Sequence, residues 1–132
     1  MSRLDLCDVM VQRLKEHGYK DAATRRIDEL KAGGIAVRRL PSTRLASYFD
    51  GRRDMDAIVL VAVARQREEA AMDECEEIAA LVPTLDLASA NGSYEITSCD
   101  IHTPPREMAF AGGPTVWAVQ FRAAITTTGR RY

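Results

Sequence analysis

Long apolar runs are missing from this chain of 132 residues; the longest is eight, from Ala57 to Ala64. A membrane-spanning helix needs roughly 18, so no membrane partner is expected. The opening segment MSRLDLCDVM has charges at positions 3, 5 and 8 and no apolar stretch between them, which is not the pattern of a signal peptide. Cysteine is scarce. Cys7, Cys75 and Cys99 are an odd number and form no CxxC pair, which argues against a disulfide framework and fits a reducing compartment. Lysine is scarcer than arginine, three against 15, as a GC-rich genome or interfaces built on arginine would give.

Catalytic and cofactor motifs are also lacking. Of the two histidines, His17 falls at a helix end and His102 near Cys99 and Asp100. Those three could form a nucleophile or metal cluster, but no second cluster completes a metal set. The pairs Gly33-Gly34 and Gly112-Gly113 stand outside any GxGxxG or P-loop frame and read as turns. No cofactor and no metal are expected. Net charge is -1 and aromatics are few, so sequence-specific nucleic-acid readout is not expected either.

What is present is a mixture of helical and strand periodicities. Leu4, Cys7, Val11 and Leu14 form a stripe that predicts a helix over 3–17, with Ser2 and Asp5 as a capping box and Gly18 as its stop. A narrower stripe of Ala23, Ile27 and Leu30 predicts a second helix over 21–31. GIAVRRLP predicts a strand over 35–40, ended by Pro41, which cannot donate to a ladder. Residues 41–54 are polar, with an Asp50-Gly51 turn, and valine-rich 56–65 is the next strand. REEAAMDECEEIAALV predicts a helix over 67–82, its first turn acidic as the helix dipole favours. After an Asn91-Gly92 turn come strands over 93–101 and 115–127. In the last, Trp117, Val119, Phe121, Ala123 and Ile125 share one face, and Gln120 and Arg122 the other.

These elements predict one α+β domain over 1–132, a four-stranded, mostly antiparallel sheet with helices on one face, and a disordered tail at 129–132. The eight-residue run is then a puzzle. If Val59, Val61 and Val63 face the helices, Ile58 and Leu60 face away. Either the chain covers that second face with its 101–114 loop or tail, or another subunit does. Six acids between 68 and 77, among them Glu69, Asp73 and Glu76, suit a solvated face or the arginines of a neighbour, such as Arg38, Arg52 and Arg53. The 101–114 loop, IHTPPREMAFAGGP, is long for a hairpin and offers Arg106, Met108 and Phe110 as a partner-binding tip.

The run IAVRRLPSTRLASYFDGRRDMDAIVLVAVARQ leads straight into REEAAMDECEEIAALV, and the chain closes with YEITSCDIHTPPREMAFAGGPTVWAVQFRAAITT. This succession of helix, long connection, β-hairpin, helix and β-hairpin resembles the tail terminator proteins of long-tailed bacteriophages, also filed as minor tail or minor capsid proteins. The likeness spans residues 3 to 128. The extra short helix at 21–31 and the strand ended by Pro41 depart from it, and leave room for a head-completion or neck protein. The resemblance implies a non-enzymatic virion protein, made in the host cytoplasm, that forms a homo-oligomeric ring of about six copies. Such a ring ends the tail tube and meets the head connector. Two other readings stand beside it. One is a stand-alone α+β domain that binds a small molecule or peptide. The other is an enzyme using Cys99, Asp100 and His102.

Overall fold

A computed structural model describes residues 4–26, 30, 33–41, 44–47, 53–108 and 114–127. The elements are α1 (Leu6–Glu16), β1 (Ala22–Thr24), β2 (Gly34–Leu40), β3 (Arg44–Ser47), β4 (Arg53–Arg65), α2 (Glu68–Leu81), β5 (Tyr94–Met108) and β6 (Thr115–Thr127). A short 3₁₀ turn, Val82–Thr84, follows α2 where Pro83 prevents its continuation. The sheet runs β1-β2-β4-β6-β5, with β3 pairing β4 off that path. The class is α+β as expected, but the sheet is mixed and larger than four strands, because three segments differ from the periodicity reading.

The first is 21–31. Its described part is not helical; Ala22–Thr24 is a strand that pairs parallel with Ile35–Val37. The second is 41–54, where Arg44–Ser47 pairs with the start of β4. Strands β2 and β3 therefore lie end to end along one edge of β4, with Pro41 in the break between them. The third is the supposed 101–114 loop. Its residues 101–108 continue β5 against β6 as far as Met108↔Val116. Pro104 and Pro105 fit because β5 is an edge strand, where one side of the backbone lacks a ladder partner. The register shifts between Thr103 and Arg106, a bulge that accommodates them.

Both helices pack on one face. Leu6, Val9, Met10 and Leu14 of α1 join Cys75, Ile78 and Ala79 of α2 over Val59, Val61, Val63, Val119 and Phe121. Cross-strand pairs fix that grouping: Val61 stands between Val37 and Val119, and Val59 pairs with Phe121. The opposite face carries a second, smaller cluster of Leu30, Ala36, Leu60, Ala62, Ala64, Val116 and Ala118, with Leu40 and Met108 against it. Small alanines pack there at low cost in exposed area, so the chain itself buries much of the second face of β4. Leu60 is 5% exposed, whereas Ile58 is half-buried.

Two polar clamps fix how the helices sit. Arg65, at the end of β4, donates to Glu74 of α2 at 3.0 and 2.5 Å and to Asp21 at 2.8 Å. The bond with Glu74, aided by Asp21, raises the Arg65 pKa further, against the opposing effect of burial. Asp5 precedes α1 but does not cap it; its carboxylate turns instead to the 89–93 turn. Oδ1 accepts from Ser89 at 2.7 Å and Ser93 at 3.2 Å, and Oδ2 from the backbone N–H of Ala90 at 3.0 Å and Asn91 at 3.1 Å. The Ser2 half of the expected capping box lies outside the described residues, as does the 129–132 tail.

Candidate functional site

The helix-free face is where chemistry-bearing side chains converge. Register places Arg38 and Leu40 of β2, Leu60 of β4, Ala118 and Gln120 of β6, and Thr103, Arg106 and Met108 of β5 on that same side. Together they line one pocket of about 300 Å³. Its floor is apolar: Leu40, Leu60, Met108 and Ala118. Its rim is polar, with two guanidinium groups, the Gln120 amide and the Thr103 hydroxyl. Arg38 and Arg106 are both exposed, and neither makes an ion pair or hydrogen bond among the described residues. A pocket of this kind matches an occupant with a small apolar body and a carboxylate.

Four residues singled out in the sequence thus meet here: Arg38, Leu60, Arg106 and Met108. Ile58 stands one pair further along β4, opposite Leu40 and Arg122. Leu40, Thr103 and Ala118 were not anticipated. The alternation in GIAVRRL held the signal for Leu40, which falls on the same side as Arg38. Arg52 and Phe110 lie outside the described residues, and of Arg53 only the backbone is described, at the start of β4.

Glu69, Asp73 and Glu76 are far from this pocket. They sit on the outer face of α2, all exposed, while Ala71, Cys75, Ile78 and Ala79 face the sheet. Glu69 makes only a loose, fully solvated pair with Arg67 at 3.6 Å. Asp73 and Glu76 have no partner among the described residues. The sequence of α2 contains no lysine or arginine, so every charge on its outer face is negative.

A third surface lies between α1 and the β1 edge, a groove of about 450 Å³ with Arg25, Arg26 and Arg39 beside Asp8 and Cys7. Asp8 and Arg26 already have partners, and Arg25 donates to the Asp21 carbonyl at 2.7 Å. Arg38 also lines this groove, which therefore carries a surplus of positive charge, four arginines against the single carboxylate of Asp8.

The Cys99, Asp100 and His102 set does not assemble into a reactive centre. Cys99 pairs with Ala123 and packs toward the helix-side core, while Asp100 pairs with Arg122 on the other face. Burial, helped by the Asp100 charge, pushes the Cys99 thiol up to about 11. Burial does the same to Cys7, to about 11, and to Cys75, to about 12. We therefore expect maleimide or disulfide reagents near neutral pH to modify folded protein at least about tenfold more slowly than a free thiol. Labelling of Cys99 at the free-thiol rate contradicts this. Among the described residues no group of three or more His, Cys, Asp or Glu side chains could hold a metal ion. No helix there is long and apolar enough to cross a membrane.

No protein-family model matches the sequence, and no curated protein matches it.

Proposed function

We propose that this chain is a non-enzymatic assembly protein of a long-tailed phage virion. It forms a homo-oligomeric ring that caps the tail tube or joins the tail to the head, with the tube protein and the head connector as partners. Its place is the host cytoplasm during assembly and the virion afterwards. The observation that carries this reading is the division of the chain into two unlike faces. It is supported by an element order of helix, β2–β4 hairpin, helix and β5–β6 hairpin, to which β1 and β3 are added. Both helices cover one side of the sheet, and the other side presents an arginine-rimmed apolar pocket. Unlike faces on one chain permit head-to-tail association, and such contacts close into rings when their rotation divides a full turn.

The test is growth of the tail tube. Tube protein of the same virion is polymerised with and without this chain and viewed by electron microscopy. The reading expects a bound ring at one tube end and shortened tubes. Bare ends and unchanged lengths contradict it.

The same pocket favours a second reading, a monomeric domain that holds a small acid or an acidic peptide. It differs in predicting saturable binding by a protein that never self-associates.

A further inference from the structure

We infer that the pocket on the helix-free face receives the acidic outer face of α2 from a second copy of this chain. The inference rests on the ring reading and names the contact that would build it. Three observations lead to it.

The first is chemical match. The pocket offers two arginines that have no partner among the described residues, above an apolar floor. Arginine stems can lie along such a floor while the planar heads meet carboxylates in pairs. The helix offers Asp73 and Glu76, also without partners among the described residues, three positions apart and therefore on one side of α2. Ala70 and Ala80 are exposed on this helix too, and their small side chains let a backbone come close.

The second is reach. The inner face of α2 packs on the helix side of its own sheet. The pocket opens on the other side of that sheet. No chain can put its own α2 into its own pocket, so only another copy can supply the helix.

The third is propagation. Each copy has one donor face and one acceptor face on opposite sides of the sheet. Every bound copy leaves a fresh pocket and a fresh helix, so the contact repeats and closes into a ring where its rotation divides a full turn.

Complementary charge reversal tests this. One variant carries Arg38→Glu and Arg106→Glu; the other carries Asp73→Arg and Glu76→Arg. All four positions are exposed, so circular dichroism and melting should match the wild type. Alone, each variant opposes like charges at the contact, and we expect self-association to weaken at least about tenfold. Mixed in equal amounts, every contact in an alternating array is again Glu with Arg or Arg with Asp and Glu. We expect the mixture to recover the wild-type oligomer mass by light scattering. A wild-type oligomer that both reversals leave intact overturns this contact and leaves the ring reading standing. So does a mixture that stays monomeric although both variants are folded. A wild-type chain that stays monomeric at every concentration removes the ring reading and the contact together. In that case, melting stabilised by succinate and no longer so after Arg38→Glu with Arg106→Glu would assign the pocket to a small acid.

Discussion

Phe121→Ala is expected to cost about 3–5 kcal/mol of folding free energy. Phe121 is the largest of the fully buried side chains, with 0% exposure. It sits in the middle of β6, between Val59 of β4 and Ile101 of β5, at the helix-side core. Truncation loses the transfer energy of the ring and leaves a cavity. Strands held by ladders on both sides have little room to close it. Against a total of about 5–15 kcal/mol for a domain, that loss is a large fraction. The measurement is the midpoint of urea unfolding. The neighbouring Arg122→Ala is the control, since Arg122 is exposed and on the opposite face; it should change stability by less than about 0.5 kcal/mol. Equal effects from the two would mean that the alternation along β6 is wrong.

The second large effect is at Asp5. Asp5 is 8% exposed, and its carboxylate accepts four hydrogen bonds from the 89–93 turn, 84 to 88 positions away in sequence. Asp5→Asn keeps the shape but turns one acceptor into an NH₂ group facing donors. We expect a loss of about 2–3 kcal/mol, in the range for hydrogen bonds to a charged group. Burial alone would raise this carboxyl's pKa, but the bonds from Ser89, Asn91, Ala90 and Ser93 together outweigh it and hold the value below the ordinary 3.8. The sign of the pH dependence follows. The folded state binds this proton less readily than the unfolded state, so the contribution is full above the unfolded pKa. It is lost as pH falls through the lower folded value. The gap between wild type and Asp5→Asn should therefore be constant near neutral pH and narrow below about pH 4. A gap that does not change with pH would show that the carboxylate charge plays no part in the clamp.

Periodicity made α2 and β6 readable because each is long and packs one continuous face, and β4 was readable from its valine-rich apolar run, which is buried on both faces. Helix α1 was readable as a helix but not in its facing: Leu6, Val9, Met10 and Leu14 are buried, whereas Leu4, Cys7 and Val11 of the expected stripe are only partly buried at its margin, and at its start Asp5 serves a turn far away in sequence. Strand β1 was not readable. Ala22-Ala23-Thr24 is three residues with no strand preference of its own, and only its parallel partner in β2 makes it extended. Of the expected helical stripe, Ala23 lies in β1 and Leu30 is buried against the helix-free face, while Ile27 lies outside the described residues. The second half of β5 was hidden by Pro104-Pro105, which read as a loop. An edge strand tolerates what a central strand excludes, and its position at the edge is a property of sheet order, not of local sequence. The pocket was half visible for that reason. Arg38 with Leu60, and Arg106 with Met108, could be singled out as two groups. That they line one cavity depends on β6 standing between β4 and β5, and no local pattern encodes that.

Light scattering behind a sizing column, over a wide range of protein concentration, tests most directly whether the helix-free face is a surface for self-association. A closed oligomer of protomers of 14.6 kDa, weakened by added salt, is the predicted result. A mass of 14.6 kDa at every concentration would contradict it.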